Sequence, residues 1–225
     1  MNKSELHSET KTLLELNGTA YDGRPFHING RSYFVRNNVF NPRVFPSTSW
    51  YAQNLPVTNG DHILEIGTGA GVIAIEATYK GAGWGVATDI SKDACKLARK
   101  NARQHHAPII VLQSDVFEQL HMKYCQKGFD TLFWSMPFGY TEQEPTAIER
   151  TTFDCKYQSI ERYFAGAERF LKPKGKLLFG FSKILGSEKH LDKILRTYGY
   201  TKKLLSETTL KEVREVDFGI YQAVR

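Results

Sequence analysis

The sequence is poor in cysteine: three occur in 225 residues, at Cys95, Cys125 and Cys155, and no two of them form a CxxC pair. Zinc sites and thioredoxin-like redox motifs need such close pairs, so neither is expected. His105 and His106 are adjacent, and neighbouring residues of a helix face different directions, so they are not expected to share a metal. The sequence therefore predicts no metal site, and an odd number of cysteines fits reduced thiols in a cytosolic protein.

Long apolar runs are missing as well. No window of about 18 consecutive apolar residues occurs, so no membrane-spanning segment is expected. The polar stretch 1–17 lacks the apolar core of a secretory signal, and a cytoplasmic location is the expectation. The net charge is only +6, which permits an RNA partner without requiring one. The basic residues of the 91–105 segment are expected to form a solvated helix face, and nothing in the sequence indicates an oligomeric state.

Short apolar segments alternate with amphipathic segments from residue 62 onwards. Strands are predicted at 62–66, 86–89, 109–112, 129–134 and 176–181, and helices at 72–80, 91–105, 157–171 and 188–198. This alternation predicts βαβ units and a mostly parallel sheet. Two final strands, near 200–206 and 213–224, have no helix between them and predict a hairpin. The fold class is therefore α/β, with a seven-stranded, mostly parallel sheet that contains one antiparallel strand.

Residues 1–45 are expected to form an extension to a main domain at 46–225. A helix is predicted over 3–17, and a hairpin over 26–35, where Asn29-Gly30 is the turn dipeptide. Either Ser47 or Thr48 is predicted to cap a short helix that runs to Asn54.

The segment Leu64-Glu-Ile-Gly-Thr-Gly-Ala-Gly71 lies where a buried strand should turn into a helix. Glycines here let the backbone turn tightly and approach a ligand. A dinucleotide-binding fold has the spacing GxGxxG, with the pyrophosphate at the helix N-terminus. Here the third glycine comes one residue early and Glu65 precedes the loop. Both features favour a cofactor without phosphate over the dinucleotide of a dehydrogenase. Glu65 is expected to hold the loop or to face the ammonium group of such a cofactor.

Two more acids follow the next two predicted strands. Asp89 ends the second strand, where its carboxylate can accept hydrogen bonds from two ribose hydroxyls. Asp115, in Ser114-Asp-Val116, ends the third strand, where it can accept from an adenine amino group. Ligands of such sheets bind at the carboxyl ends of the strands. Each acid alone is most simply a surface carboxylate, but the ordered set predicts one nucleoside-bearing cofactor.

These residues resemble the class I S-adenosylmethionine-dependent methyltransferases, and the resemblance covers roughly residues 40–224. It implies a Rossmann-like fold with helices on both faces and S-adenosylmethionine as the cofactor. The glycine loop would lie against the methionine part, and the two acids would bind ribose and adenine. The cofactor-binding set that the resemblance implies is Thr48, Glu65, Gly67, Thr68, Gly69, Gly71, Asp89, Ile90, Asp115 and Val116.

A turn follows the fourth predicted strand. Its residues Ser135, Met136, Pro137 and Phe138 resemble the Asn/Asp/Ser-Pro-Pro-Tyr/Phe motif of methyltransferases that modify planar nitrogens. The resemblance implies that the Ser135 side chain and the Met136 carbonyl accept the amine hydrogens, that Pro137 stiffens the turn, and that Phe138 stacks on the target. Serine is a shorter acceptor than asparagine, and Met136 replaces the first proline. A different acceptor atom, a different substrate geometry or lost activity therefore stay open, as does a purely structural proline turn.

The stretch 39–50 resembles the segment before the glycine loop in the small-domain methyltransferases. That group includes the release-factor glutamine methyltransferases and several ribosomal RNA guanine and adenine methyltransferases. Arg43 and Thr48 stand nearest to the residues that border the cofactor pocket there, but Ser49 replaces the acid that follows the threonine. The large helical N-terminal domain of the bacterial glutamine enzymes has no counterpart in the residues before this stretch.

We therefore expect a methyltransferase that modifies a planar nitrogen, with RNA or protein favoured over a small molecule as acceptor. The alternatives are a small-molecule methyltransferase and a non-catalytic module that binds the cofactor or RNA. The polar segment 140–154 follows the candidate catalytic turn and is expected to be either a substrate-covering lid or a disordered connection.

Overall fold

A computed structural model describes residues 3–19, 23–121, 124, 128–211 and 215–225. Its helices are α1 (Lys3–Asn17), α2 (Ser47–Asn54), α3 (Val72–Tyr79), α4 (Lys92–Gln104), α5 (Gln158–Gly166) and α6 (Glu188–Thr197). Its strands are β1 (Phe26–Ile28), β2 (Arg31–Tyr33), β3 (His62–Ile66), β4 (Trp84–Asp89), β5 (Ile109–Gln113), β6 (Phe129–Ser135), β7 (Gly139–Thr141), β8 (Phe153–Cys155), β9 (Leu171–Phe181), β10 (Thr201–Lys211) and β11 (Glu215–Val224). The predicted start of the last strand, at residue 213, lies outside the described residues.

Seven strands form the central sheet in the order β10-β11-β9-β6-β3-β4-β5. The pairs from β9 to β5 are all parallel, and β11 runs antiparallel to both of its neighbours. The predicted fold class is therefore confirmed. Because β3, β4, β5 and β6 are parallel, the loops that follow them meet at one edge of the sheet.

Both faces of the sheet are covered by helices. Leu64 of β3 is buried in a cluster with Phe164 of α5, whereas its neighbour Ile63 is buried in a cluster with Ala74 of α3 and Ala98 of α4. Successive side chains of a strand point to opposite faces, so a strand covered on both sides needs apolar residues throughout. This explains why the neighbouring residues Ile63 and Leu64 of β3 are both apolar.

Among the local predictions, the cap of α2 and the start of β9 differ from the structure. Pro46 already has helical dihedral angles and occupies the N-cap position of α2, so Ser47 is the first helical residue and no side chain caps the helix. The predicted cap at Ser47 or Thr48 is therefore wrong. Strand β9 begins at Leu171 rather than near 176, because a register shift against β6 accommodates Pro173, which a regular ladder would exclude.

The N-terminal residues pack closely against the sheet and its helices. Asn17 at the end of α1 donates to the carbonyls of Asn37 and Val39, at 2.7 and 3.2 Å. The β1–β2 hairpin is held by Glu76 of α3, which is fully buried and accepts hydrogen bonds from Arg31 and Tyr33. These contacts join the hairpin to the helix that follows the glycine loop, and a boundary at residue 45 stays a proposal.

The 142–152 stretch between β7 and β8, termed here the cover segment, is structured. Strands β7 and β8 pair in parallel, so the cover segment crosses from the end of β7 back to the start of β8. Lys11 of α1 lies 2.8 Å from Glu149 in the cover segment, and Leu13, Leu14 and Phe153 share a small apolar cluster. Helix α1 therefore supports the cover segment from outside.

No helix within the described ranges is long and apolar enough to cross a membrane. In the same part of the chain, no group of three or more His, Cys, Asp or Glu side chains is arranged to hold a metal ion. Cys95 and Cys155 are buried free thiols, and Cys125 lies outside the described residues.

Candidate functional site

A cavity of about 1350 Å³, the main cavity, opens at the carboxyl ends of β3, β4, β5 and β6. Small-molecule sites usually measure roughly 300–1,000 Å³, so the main cavity has room for a cofactor and for part of an acceptor. Of the residues predicted for the site, those that line it are Thr48, Glu65, Gly67, Thr68, Gly69, Asp89, Ile90, Asp115, Val116, Ser135, Met136, Pro137 and Phe138. One connected space thus joins the predicted cofactor residues to the predicted catalytic turn.

The glycine loop between β3 and α3 depends on the absence of side chains. Gly67, Gly69 and Gly71 have φ values of 62°, 55° and 82°, a region that other residues rarely adopt. A Cβ on Gly67 would lie 2.6 Å from Nε1 of Trp134, so the loop passes directly over the indole. Gly71 does not line the main cavity; a Cβ there would lie 3.2 Å from the backbone of Ala98, so this glycine lets α3 approach α4.

Glu65 holds the glycine loop from inside the protein. It is 3% exposed, and its Oε2 accepts from the Thr68 hydroxyl at 2.5 Å and from the Ala74 amide at 3.1 Å. Burial raises the pKa of the Glu65 carboxyl to about 8, although both hydrogen bonds act in the opposite direction. Of the two roles expected for Glu65, its contacts within the protein match the first, which is to hold the loop.

The raised pKa of Glu65 predicts how stability depends on pH. The folded state keeps the Glu65 proton up to about pH 8, whereas the unfolded state releases it near 4.5. The wild type should therefore lose stability relative to Glu65→Gln as the pH rises from about 5 to 8, by a few kcal/mol at most. Urea unfolding of both proteins at pH 5, 6.5 and 8 measures this. A difference between the two that stays constant across that range would contradict the prediction.

Asp89 sits at the end of β4 and ties the loop to the next strand. Its Oδ2 accepts from the Gly69 amide at 2.9 Å and its Oδ1 from the Ser91 amide at 2.8 Å. Burial raises the pKa of Asp89, and the two backbone hydrogen bonds oppose that shift. Each carboxylate oxygen has a second lone pair, so Asp89 can bind hydroxyls while it holds the backbone. Next to it, Ile90 is 48% exposed and presents an apolar surface to the main cavity.

Asp115 has a partner that sequence reasoning missed. Both of its carboxylate oxygens accept from Arg162 of α5, each at 2.9 Å. Arg162 also donates to Glu118 at 2.8 Å, so one guanidinium is shared by two acids. A bidentate pair leaves outward-facing lone pairs on the carboxylate. Val116 follows with a φ of 49°, which turns the backbone at the wall of the main cavity.

The turn over residues 135–138, termed the 135–138 turn, begins where β6 ends. The Met136 amide donates to the Gly180 carbonyl of β9 at 3.3 Å, and the Met136 side chain is 1% exposed. Phe138 is half-buried and lies edge-on to Phe218, with ring centroids 6.1 Å apart. Ser135 and Phe138 both line the main cavity that the glycine loop lines.

Residues outside the predicted set close the main cavity on a second side. Thr10 of α1, Ile148 and Arg150 of the cover segment, and Phe40 and Phe45 line it. The two phenylalanine rings stack at 4.1 Å. The positions of these five lining residues in the sequence do not indicate a ligand site. They come together only when α1 packs on the cover segment.

Arg43, which was expected near the cofactor pocket, does not line the main cavity. Its guanidinium donates to the Pro25 carbonyl at 2.8 Å. Thr48, the other residue of that expectation, does line it. In the 39–50 stretch, the arginine therefore holds the chain that leads into β1, and the threonine faces the site.

Residues 34–205 match the model of a protein family described as "Methyltransferase small domain". The chain belongs to this family. It is 32% identical over 158 residues to a bifunctional methyltransferase of Rickettsia prowazekii, a match that covers 64% of this chain and 29% of that protein. It is 27% identical over 147 residues to a putative protein N5-glutamine methyltransferase of Methanocaldococcus jannaschii, which covers 63% of this chain and 72% of that one.

The fold of this chain is also similar to that of a solved structure. A putative methyltransferase solved in complex with S-adenosylhomocysteine superposes with a TM-score of 0.61 at 13% identity, over 90% of this chain and 57% of that one. The prediction of a small-domain, S-adenosylmethionine-dependent methyltransferase with a Rossmann-like fold is confirmed at the level of the family. The chain spans less than a third of the length of the Rickettsia protein that it matches, so its own substrates are matters for proposal.

Proposed function

We propose that this chain transfers the methyl group of S-adenosylmethionine to a planar nitrogen of a protein side chain. The observation that carries the proposal is the single cavity that joins the glycine loop and Asp89 to the 135–138 turn. A donor and an acceptor bound in one space need little besides position and electrostatics, because alignment alone supplies a large part of the rate enhancement.

The residues present fit the cofactor. Asp89 offers lone pairs for the ribose hydroxyls while its other bonds hold Gly69 and Ser91. Gly67 and Gly69 present only backbone to the main cavity, so the methionine part can approach the loop closely. Asp115 offers acceptors for the adenine amino group. Bound there, S-adenosylmethionine supplies an electrophilic methyl group on a sulfonium and leaves as S-adenosylhomocysteine.

The 135–138 turn orients the acceptor. The Ser135 hydroxyl and the Met136 carbonyl accept hydrogen bonds from a planar NH₂ group, which directs its nitrogen towards the donor, and the Phe138 ring packs against its flat face. Fixed acceptors also stabilise the positive charge that develops on the nitrogen as the new bond forms. The nitrogen then loses one proton to solvent, so that the product is neutral.

A glutamine side chain is the acceptor that we favour over RNA. The Methanocaldococcus relative carries the name of a protein N5-glutamine methyltransferase, and a primary amide is a planar nitrogen. Among the described residues that line the main cavity, Arg150 and Arg162 are the cations, and both are ion-paired, with Glu144 at 3.3 Å and with Asp115 at 2.9 Å. Phosphate binding relies on free lysine and arginine side chains, which this lining does not offer.

The test is a labelling experiment. The chain is incubated with [methyl-³H]S-adenosylmethionine and cell extract, and protein, RNA and small molecules are separated. We expect protease-sensitive label in the protein fraction, on glutamine, and no label with Asp89→Ala. Nuclease-sensitive label would replace protein by RNA as the acceptor, and no label in any fraction while the cofactor still binds would favour the non-catalytic module.

A small-molecule acceptor is the second candidate. Helix α1 and the cover segment close the main cavity on one side, where Phe40, Phe45 and Ile148 make its lining apolar. Such an enclosed, apolar space is typical of small-molecule sites. Label confined to the small-molecule fraction would select this candidate. With either acceptor, the free thiols of Cys95 and Cys155 fit a protein in the reducing environment of the cytoplasm.

Ser135→Ala tests the catalytic role of the turn. Loss of the hydroxyl removes one acceptor for the substrate amine, so kcat should fall about 10- to 100-fold while the affinity for S-adenosylhomocysteine is unchanged. Ser135→Asn, which keeps an acceptor oxygen, should retain most of the activity. Equal activity of Ser135→Ala and wild type would show that the turn is structural.

A further inference from the structure

Tyr157 is a buried tyrosine that sequence reasoning did not single out. It lies just before α5, its side chain is 0% exposed, and its hydroxyl sits between two loops. The hydroxyl donates to the carbonyl of Phe138 in the 135–138 turn and accepts from the Ser187 amide at 2.8 Å. The loop that ends at Ser187 also carries Leu185, which lines the main cavity. One phenolic oxygen thus connects the turn to a second wall of the site.

The backbone that presents Tyr157 adopts an uncommon conformation. Lys156 and Tyr157 have φ values of 52° and 58°, and two successive residues with side chains rarely occupy the left-handed region. The Lys156 amide donates to the Thr141 carbonyl at 2.8 Å, which fixes this bend to β7. Such conformations persist only where the surroundings hold them, and they are concentrated at functional sites.

Three hydrogen bonds hold the 135–138 turn and the residue that follows it, and among the described residues Tyr157 provides the only one made by a side chain. The Met136 amide is held by the Gly180 carbonyl at 3.3 Å, and the Gly139 amide by the Thr152 carbonyl at 2.7 Å. The third anchor is the bond from the Tyr157 hydroxyl to the Phe138 carbonyl. Burial raises the pKa of Tyr157 above its usual value, so the hydroxyl stays a donor at physiological pH.

We propose that Tyr157 is a positioning residue for methyl transfer, whose hydroxyl fixes the Phe138 peptide and thereby aims the Ser135 and Met136 acceptors and the Phe138 ring. The inference rests on the proposed function of the 135–138 turn. Without the hydroxyl, the Phe138 carbonyl loses the partner that fixes its plane, and the peptide can rotate. A misplacement of about 1 Å is enough to lower a rate by roughly 100-fold.

Tyr163, inside α5 and six residues after Tyr157, offers a matched control. It is also 0% exposed, and its hydroxyl donates to the Leu178 carbonyl of β9 at 2.8 Å. Tyr163→Phe therefore removes the same atom from an equally buried tyrosine, and with it one hydrogen bond to a backbone carbonyl. It differs from Tyr157→Phe in that Leu178 lies inside the sheet and does not line the main cavity.

The experiment compares wild type, Tyr157→Phe and Tyr163→Phe by two readouts. The first is hydrogen exchange of the amides of Met136 and Gly139 in the protein without added ligands. The second is kcat for methyl incorporation from labelled S-adenosylmethionine into the fraction that the wild type labels, beside the Kd for S-adenosylhomocysteine. For Tyr157→Phe we expect faster exchange at the turn and a kcat about 10- to 100-fold lower, with an unchanged Kd. Tyr163→Phe should keep wild-type exchange at the turn and wild-type kcat.

The two readouts separate the two claims. Unchanged exchange at the turn in Tyr157→Phe, or the same loss of kcat in both variants, would overturn the positioning role. If the wild type labels no fraction, the proposed function fails, and the exchange measurement still decides whether Tyr157 holds the turn.

Discussion

Asp89→Ala is expected to lower the affinity for S-adenosylhomocysteine by about 100-fold or more. Hydrogen bonds to a charged group contribute roughly 1.5–3 kcal/mol each, and about 1.4 kcal/mol corresponds to a factor of ten in affinity. The substitution removes the acceptors for the ribose and also releases the amides of Gly69 and Ser91. The substitution therefore removes an anchor of the glycine loop and the acceptors for the ligand at the same time.

Two variants and calorimetry make this test specific. Asp89→Asn keeps one carbonyl oxygen and should show an intermediate affinity. Asp192→Ala removes an acid of α6 that pairs with Lys202 at 2.6 Å and does not line the main cavity, so its affinity should equal that of the wild type. Wild-type affinity in Asp89→Ala would rule out a ribose site at the end of β4.

Gly67→Ala should both destabilise the protein and abolish cofactor binding. At a φ of 62° an alanine is strained by about 1 kcal/mol, and its Cβ would lie 2.6 Å from the Trp134 ring nitrogen. Overpacking of this kind adds roughly 1–3 kcal/mol. Because Trp134 is 7% exposed and sits in the core, the loop has to move outwards, into the space where the cofactor would lie.

Gly60→Ala separates the steric clash from the backbone strain. Gly60 has a φ of 85° and no atom within 4 Å of a Cβ built on it, so its replacement should cost about 1 kcal/mol and leave binding unchanged. Thermal unfolding and calorimetry of both variants measure the difference. If Gly67→Ala were no less stable than Gly60→Ala and bound S-adenosylhomocysteine normally, the loop would not be held against the indole.

The features that sequence reasoning located are local ones. The glycine loop, Asp89 and Ser135 each stand at the end of a strand, and the strands are short apolar runs bounded by turn residues. Since parallel strands end at a common edge, the order of these residues along the chain was enough to bring them together. The same reasoning gave the antiparallel β11, because no helix lies between β10 and β11.

The features that it missed depend on tertiary contacts. Arg162 pairs with Asp115 only after α5 packs beside the loop that follows β5. Tyr157 and Phe138 are 19 residues apart in the sequence, and no helix or strand periodicity predicts their contact. The pairing of β7 with β8 involves strands of three residues each, which are too short to show periodicity. The support that α1 gives to the cover segment likewise comes from the ion pair of Lys11 and Glu149.

The most direct test of the central claim is calorimetric titration of the wild type with S-adenosylhomocysteine and, separately, with NAD. The early third glycine of the loop, with Asp89 and Asp115 behind it, predicts saturable binding of S-adenosylhomocysteine at a single site and no binding of NAD. Binding of NAD without binding of S-adenosylhomocysteine would contradict the account.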